Sequence, residues 1–348
     1  MHQLLTPNET CDILPLSPYG KSFIASTRHQ LKKIITGKDH RKVFVVGPCS
    51  IHDIEKAYEY AKELKKLAEE VKGNILIVMR THFEKPRTKF GWKGLIYDPK
   101  LDGSNDIQLG ILKARRLLLE LADIGLPVSS EILDPYIYSY YEDLLSYAMI
   151  GARTCTSQTH RQIASLTQLP VGIKNTIDGN IEAAIHAVAF ARTSHTFISP
   201  NGDGKLMPVE TKGNQNTHII LRGACTHHNF DSQSIQFASA KLNENEVPNR
   251  IMIDCSHGNK KEGGQSASFL ETISMMQNPK SPIFGLMLES YLKSGKYRGG
   301  DLKEAPKDLS ITDHCISLEE TKELILAANQ SLSQSFTIGL NSNSYSST

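Results

Sequence analysis

Residues 75 to 89 have the sequence ILIVMRTHFEKPRTK, in which an apolar run gives way to cations at Arg80. The run Ile75–Met79 predicts a strand that is buried on both faces, as in a parallel sheet. Several cations follow closely, and Pro86 stiffens the loop that carries them. Because Arg offers a planar fork of donors and Lys a mobile point charge, such a loop suits phosphate binding. The alternative is a solvated basic surface loop.

Apolar segments of this kind alternate with helical patterns along the chain. Eight of them predict an α/β fold, the closed (β/α)8 barrel. The alternative is a doubly wound open sheet, which would place a glycine-rich phosphate fingerprint after the first strand, and Gly47-Pro48-Cys49 is not one. The predicted strands cover residues 43–46, 75–79, 127–131, 149–153, 170–174, 218–222, 251–254 and 284–289.

Some segments fall outside the alternation. Prolines interrupt the N-terminal residues, where one short helix is predicted near 24–36. Pro200–Gly204 is typical of a hairpin turn, and the C-terminal residues are rich in Ser, Asn and Gln. Within the barrel, a Tyr-rich helix is predicted at roughly 135–147. The predicted units are an N-terminal extension (1–40), the barrel (41–330) with an inserted β-hairpin near 195–210, and a disordered tail (331–348).

Composition narrows the setting. The 348 residues carry a formal net charge of +2, so no global charge favours nucleic acid or a membrane surface as partner. The six cysteines are dispersed without a Cys-x-x-Cys pair, which is typical of reduced cytosolic thiols. The N-terminus lacks the layout of a signal peptide, and no apolar run approaches ~18 residues. We therefore predict a cytoplasmic protein.

The active site of a (β/α)8 barrel lies at the C-terminal ends of its strands. Every predicted strand of this chain delivers a charged or reactive residue at that end, and one shared site explains the set better than solvation does. These residues are Cys49, Arg80, Glu131, Arg153, Lys174, Arg222, His257 and Glu289.

Cations make up the first group of candidate binding residues. Positive charges that face one another repel, so we expect an anion of comparable charge between them. A phosphorylated carboxylic acid fits, with Glu131 orienting one or two of the cations. Arg87 and Thr88 lie further out, where a second phosphate would bind. The cations are Arg80, Lys85, Arg153, Lys174 and Arg222.

The second group is Cys49, His257, Glu289 and Asp313. A thiolate, an imidazole and two carboxylates form a donor set of mixed softness that suits Mn, Fe, Co or Zn without choosing among them. Taken singly, each has a simpler interpretation as a buried thiol, a loop histidine or a helix cap. Their predicted convergence at the barrel mouth favours a divalent metal ion, and the irregular spacing argues against a structural zinc.

At these residues the sequence resembles the type I 3-deoxy-D-arabino-heptulosonate 7-phosphate (DAHP) synthases. The resemblance covers roughly residues 15–325. The motifs that carry it are Gly47–His52, Phe83–Thr88, Gly91–Leu95, Gly151–Thr154, His218–Gly223, Ile253–His257 and Ser310–Asp313.

The resemblance implies a condensation of phosphoenolpyruvate with erythrose 4-phosphate, the first step of the shikimate pathway. It implies that the second group binds a divalent metal ion, that the cations hold phosphoenolpyruvate, and that Lys85-Pro86-Arg87-Thr88 takes the phosphorylated aldose. The metal would polarise the aldehyde. Lys85 is the candidate to protonate the developing alkoxide, provided that neighbouring cations depress its pKa. The implied catalytic residues are Lys85, Cys49 and His257.

The sequence departs from the family pattern beside these motifs. Many relatives have Glu where this chain has Thr156, and Gly-Lys where it has Ala224-Cys225 or Asp308-Leu309. These departures allow a paralogue that uses a related phosphorylated aldose in a side pathway, or a weakly active regulatory paralogue. A barrel aldolase with Lys174 as a Schiff-base lysine is a further alternative.

The extension and the hairpin belong to no barrel unit. The resemblance implies that such additions form subunit contacts, in a homodimer or homotetramer, and a feedback site for an aromatic amino acid. Phe197 and Ser199 are the candidate effector residues, with phenylalanine or tyrosine as the predicted effector. The alternative is that residues 1–40 only cover the closed end of the barrel.

Overall fold

The computed structural model describes residues 3–87, 91–260 and 263–343. Its strands are β1 (Lys42–Gly47), β2 (Ile75–Arg80), β3 (Val128–Glu131), β4 (Tyr147–Ile150), β5 (Val171–Lys174), β6 (Thr196–Pro200), β7 (Leu206–Glu210), β8 (Thr217–Leu221), β9 (Ile251–Asp254), β10 (Ile283–Tyr291) and β11 (Ile316–Ser317). β1 to β5 and β8 to β10 pair in parallel, and β10 pairs with β1 to close the sheet. The predicted (β/α)8 barrel is confirmed, since an open sheet would lack the β1–β10 pairing.

Helices surround the barrel. They are α1 (Pro7–Ile13), α2 (Pro18–Ile35), α3 (Ile54–Val71), α4 (Ile107–Asp123), α5 (Pro135–Tyr138), α6 (Gln158–Leu166), α7 (Ile181–Ala191), α8 (Ser232–Glu244), α9 (Gly264–Met276) and α10 (Leu318–Asn343). Asp53, Asp106 and Asp231 fix the starts of α3, α4 and α8, because each carboxylate accepts a backbone N–H of the first turn. Within the described residues, every helix is too short or too polar to cross a membrane.

The interior of the barrel is closed at its N-terminal end. Val43, Val45 and Phe284 point into a buried cluster that also receives Leu31 and Ile34 of α2. The α2 helix therefore covers the bottom of the barrel and leaves the C-terminal end of the strands for a cavity.

The N-terminal extension is more helical than the sequence indicated. Pro7 and Pro18 occupy the first turns of α1 and α2, where a proline lacks no needed hydrogen bond and begins a helix rather than breaking it. The predicted hairpin is present as antiparallel β6 and β7. Extension and hairpin touch each other, since Asn8 donates its backbone N–H to the carbonyl of Gly202 (2.9 Å) and its amide to Asp203 (2.6 Å).

Two predicted segments differ in the structure. The Tyr-rich helix is reduced to α5 and a single turn at Glu142–Leu144, because aromatic residues favour helices weakly and Tyr141 leaves the helical backbone as it turns inward. The predicted disordered tail begins too early at 331. α10 continues to Asn343, and Leu332 is fully buried on the apolar stripe of that helix. Residues 344–348 lie outside the described residues.

Candidate active site

The C-terminal ends of the strands surround one cavity of about 550 Å³. The predicted strand-end residues that line it are Arg80, Glu131, Arg153, Lys174, Arg222, His257 and Glu289. The eighth, Cys49, is fully buried beneath it, with its Sγ 2.8 Å from Nζ of the lining residue Lys85. The structure thus brings all eight predicted residues to one place.

The loop after β2 is hydrogen-bonded to residues 91–97, the segment in which the chain returns along it. The backbone N–H of Lys85 donates to the carbonyl of Lys93 (2.8 Å), and Nε of Arg87 donates to the carbonyl of Trp92 (2.8 Å). Gly94 has φ +116° and lies so close to this loop that a Cβ would stand 2.2 Å from the Phe83 carbonyl oxygen. Lys85 and Arg87 are therefore presented by a fixed loop. Thr88, predicted to bind the second phosphate, lies outside the described residues.

Buried carboxylates neutralise two of the predicted cations. Nη2 of Arg80 lies 3.1 Å from Oε1 of Glu289, and both side chains are 1% exposed. Nζ of Lys174 lies 2.7 Å from Oδ2 of the buried Asp254. The carboxylate partners of these two cations are thus Glu289 and Asp254, and the predicted orienting role of Glu131 stays a prediction. Because Nζ of Lys174 is engaged by the Asp254 carboxylate, this contact disfavours Lys174 as a Schiff-base nucleophile.

The cavity still has an excess of positive charge. Eight Lys and Arg side chains line it, against the three carboxylates of Glu131, Glu289 and Asp313. Nη1 of Arg80 is buried and has no hydrogen-bond partner among the described residues. Since guanidinium is always protonated, an unpaired buried donor of this kind calls for an acceptor from outside the chain. The site is suited to a multiply charged anion.

Several residues that line the cavity or lie buried beneath it were not predicted from the sequence. Asp254 was part of a quoted motif without an assigned role, although it is the last residue of β9 and so stands at a strand end. His82, Lys260, Lys296 and His314 come from loops, where no strand pattern marks them. Burial and the nearby Arg80 hold the pKa of His82 well below its usual range, so this imidazole is neutral.

The second group lies together around the Lys85 ammonium. Sγ of Cys49 is 3.4 Å from Oδ2 of Asp313, and Nε2 of His257 is 3.8 Å from Oε1 of Glu289. Lys85 approaches both Cys49 and Asp313, the latter at 3.7 Å. As arranged in the part of the chain that the structure describes, no three His, Cys, Asp or Glu side chains are spaced as metal ligands.

The donor chemistry of this group nevertheless fits a divalent ion. Nδ1 of His257 lies 3.0 Å from Oδ2 of Asp254, the contact by which a carboxylate commonly orients a metal-binding imidazole and leaves Nε2 for the metal. Burial would raise the pKa of Glu289, but His257 and Arg80 hold it below its usual range, so the carboxylate is ionised. A thiol, an imidazole and ionised carboxylates at these separations could hold the ion if Lys85 moves aside.

The expectation of a depressed pKa for Lys85 is wrong. Burial lowers the pKa of Lys85, but Cys49, Glu289 and Asp313 outweigh it and raise the pKa above its usual value. The groups next to Lys85 are potential anions, whereas the cations Arg80 and Lys174 are paired with buried carboxylates. Lys85 therefore remains an ammonium and acts as a donor.

One departure from the family pattern falls in the cavity itself. Cys225 is exposed and lines the mouth, so the Ala224-Cys225 departure is not merely beside the site. Asp308 instead forms an ion pair with Lys293 (2.9 Å) away from the cavity lining.

A separate, smaller cavity of about 130 Å³ lies between the hairpin and the barrel helices. Phe197 and Ser199 of β6 line it, together with Tyr138 of α5 and Ile163 and Leu166 of α6. The structure therefore places both candidate effector residues at a cavity that is distinct from the strand-end site.

The structure combines a (β/α)8 barrel, a cationic mouth, buried carboxylates paired with cations, and a thiol, an imidazole and carboxylates that lie together. These features define the class of barrel enzymes that act on phosphorylated anions. Residues 22–326 match the DAHP synthetase I family. The chain belongs to this family.

Relatives cover nearly the whole chain. The Tyr-sensitive phospho-2-dehydro-3-deoxyheptonate aldolase of Escherichia coli K12 is 41% identical over 337 residues, which is 96% of this chain and 94% of that protein. The Trp-sensitive enzyme of the same strain is 39% identical over 327 residues, 93% of this chain and 94% of that protein. The structure of the phospho-2-dehydro-3-deoxyheptonate aldolase from Francisella tularensis SCHU S4 superposes with a TM-score of 0.92 at 37% identity, covering 96% of this chain and 98% of that one.

Proposed function

We propose that this chain is a DAHP synthase, a transferase that condenses phosphoenolpyruvate with D-erythrose 4-phosphate and water. The products are 3-deoxy-D-arabino-heptulosonate 7-phosphate and phosphate, in the first step of the shikimate pathway toward chorismate and the aromatic amino acids. The observation that carries the proposal is the cationic strand-end cavity, in which Arg80 has a buried donor with no partner among the described residues. Two relatives that this chain matches over 94% of their own length are named for this activity.

Phosphoenolpyruvate is assigned to the inner cations. Arg80 and Lys174 are held rigidly by their buried carboxylates, and Arg153 and Arg222 line the same cavity. Fixed donors of this kind stabilise the charge that develops on phosphate as it leaves, without reorganising during the reaction. The exposed Arg87, with Pro86 beside it, is assigned to the phosphate of the aldose at the mouth.

Proton transfer to the new alkoxide is assigned to Lys85. Its ammonium is retained by its acidic neighbours, and its loop is fixed by backbone hydrogen bonds. A divalent ion held by Cys49, His257, Glu289 and Asp313 would supply Lewis acidity toward the aldehyde oxygen. Asp254 contacts Nδ1 of His257 and Nζ of Lys174, and so orients both side chains in the site.

Product identity tests the proposal. Mass spectrometry of the metal-supplemented reaction should detect the seven-carbon product only when both substrates are present. A five-carbon sugar phosphate in place of erythrose 4-phosphate should give at most a trace of condensed product. Efficient use of the five-carbon sugar would favour the side-pathway alternative, and trapping of a substrate adduct by borohydride would favour a Schiff-base aldolase.

We also propose feedback control by an aromatic amino acid at the hairpin cavity. Two relatives are named Tyr-sensitive and Trp-sensitive, and Phe197 and Ser199 line this cavity. Asn8 of the extension donates a hydrogen bond to Asp203 of the hairpin, so removal of residues 1–20 should alter inhibition by the aromatic amino acid. The test is activity with phenylalanine, tyrosine or tryptophan, on the full chain and on the truncated chain. An enzyme that ignores all three at millimolar concentration would contradict this proposal.

Assembly and setting are proposed on two further observations. Ile198 and Leu206 of the hairpin are 73% and 68% exposed, which favours a subunit contact in a homodimer or homotetramer. All six cysteines are free, which supports a cytoplasmic setting.

A further inference from the structure

A buried acidic cluster lies behind the cationic loop. Glu84 precedes Lys85 in the chain, is 5% exposed, and is not one of the residues that line the cavity. The hydroxyl of Tyr97 lies 3.4 Å from Oε1 of Glu84 and 2.8 Å from Oδ2 of Asp134. The hydroxyl of Tyr141 lies 3.2 Å from Oε2 of Glu84. Lys85, the neighbouring cation, is turned toward Cys49 instead.

The number of hydroxyl protons available in this cluster indicates whether Glu84 is protonated. Tyr97 has one hydroxyl proton, and the shorter contact assigns it to Asp134. Oε1 of Glu84 then faces a lone pair of the Tyr97 oxygen. Two oxygens that both lack a proton repel, whereas a protonated Glu84 would donate to Tyr97. The geometry is satisfied when Glu84 carries a proton and the chain runs from Glu84 through Tyr97 to Asp134.

The electrostatic surroundings agree with this geometry. Burial and the carboxylates of Asp134 and Glu131 raise the pKa of Glu84 to about 8, while the nearby hydroxyls of Tyr141 and Tyr97 lower it only in part. These titratable groups face Glu84 from four segments. They are Glu131 of β3, Asp134 before α5, Tyr141 in the turn after α5 and Tyr97 in the returning loop. Glu84 is accordingly neutral at pH 7 and ionises within a unit or so of it.

Backbone hydrogen bonds on either side of Glu84 help to hold the loop in place. The Phe83 carbonyl accepts the N–H of Ile96 (3.3 Å), and the N–H of Lys85 donates to Lys93 (2.8 Å). These backbone bonds secure one side of the loop, and the Glu84 side chain secures the other.

We propose that Glu84 is a positioning residue, whose neutral carboxyl joins Tyr97, Tyr141 and Asp134 in one hydrogen-bonded chain that holds Lys85 and Arg87 at the cavity. Ionisation of Glu84 puts a second negative charge beside Asp134 and loosens the loop. The inference rests on the proposed function for its kinetic consequences, but the proton on Glu84 can be observed without turnover.

The kinetic test compares the wild type with Glu84→Gln, which imitates the neutral carboxyl, and with Glu84→Ala. The exposed Glu59→Gln on α3 is the matched control. At pH 7, Glu84→Gln should keep its KM for erythrose 4-phosphate within roughly threefold, while Glu84→Ala should raise that KM roughly tenfold. Above pH 8 the wild-type KM should rise, and the KM of Glu84→Gln should not. A Glu84→Gln profile that follows the wild type above pH 8 would overturn the proposal.

Infrared spectroscopy supplies the readout that does not depend on activity. The wild type should show a neutral carboxyl band at pH 7 that disappears near pH 8 and is missing in Glu84→Gln, while Glu59→Gln retains it. No difference between wild type and Glu84→Gln would refute the protonated carboxyl, even for a chain that fails to make the product. If Glu84→Gln does not fold, Tyr97→Phe replaces it. That variant should raise the KM for the aldose phosphate at pH 7, and an unchanged KM would count against the chain of hydrogen bonds.

Discussion

Replacement of Arg87 by alanine separates the two phosphate sites. Arg87 is exposed at the mouth of the cavity, and its Nε donates to the carbonyl of Trp92. Within the described part of the chain neither Nη atom has a hydrogen-bond partner, so both can serve a ligand. A hydrogen bond to a charged group contributes about 1.5–3 kcal/mol, and about 1.4 kcal/mol corresponds to a tenfold change in affinity. We expect the KM for erythrose 4-phosphate to rise roughly ten- to a hundredfold, with the KM for phosphoenolpyruvate changing by less than about threefold.

The assay is steady-state release of phosphate, with each substrate varied at saturation of the other. Arg87→Lys should fall between the wild type and Arg87→Ala, since it keeps the charge and loses the fork. Lys93→Ala is the matched control, because Lys93 is exposed on the same loop and its backbone contact to Lys85 survives. An equal rise in both KM values, or an effect of Lys93→Ala as large as that of Arg87→Ala, would refute the assignment of Arg87 to the aldose phosphate.

Three more substitutions probe the site. Cys49→Ala should abolish turnover and stoichiometric divalent-metal binding, measured by elemental analysis, while circular dichroism stays native; more than a few per cent activity in metal-supplemented buffer would contradict the metal assignment. Lys174→Met should cost about 3–5 kcal/mol in chemical denaturation, because it leaves the Asp254 carboxylate buried without its ammonium; a loss below about 1 kcal/mol would mean the pair is solvated. Gly94→Ala should displace the Phe83 carbonyl and remove most activity from a folded barrel, and wild-type kinetics would show that the loop tolerates a shift.

The barrel and the position of its active-site end could be predicted because the sequence of each strand shows whether both of its faces are buried. Runs such as Ile75–Met79 are apolar on both faces only in a parallel sheet covered by helices. Once the barrel is inferred, the position of Arg80 or Glu289 at the end of a strand follows from the fold rather than from the neighbouring sequence.

Pairings across the barrel could not be read from the chain. Glu289 meets Arg80 over a separation of 209 residues, and Asp254 meets Lys174 over 80. Nothing local indicates which carboxylate neutralises which cation, so the pairing of Glu289 with Arg80 and of Asp254 with Lys174 was not predicted. The pKa of Lys85 was misjudged for the same reason, because its nearest neighbours in space come from other strands.

Local signals also failed where tertiary packing decided the outcome. Pro7 and Pro18 suggest breaks until the capping side chains before them are known to begin helices. The polar composition after residue 331 suggests disorder, yet Ile325, Ala328 and Leu332 form a buried stripe on α10. A short apolar stripe within a polar segment is a weak helix signal in the sequence, whereas the packing of that stripe against the barrel stabilises the helix.

The central claim is that one metal-dependent site joins phosphoenolpyruvate to erythrose 4-phosphate. The most direct test is release of phosphate from phosphoenolpyruvate, with and without erythrose 4-phosphate, before and after treatment with EDTA. Release should require both substrates, fall to background with EDTA, and return when a divalent metal is added in excess of the chelator. Phosphate release that persists without the aldose, or that EDTA leaves unchanged, would contradict the account.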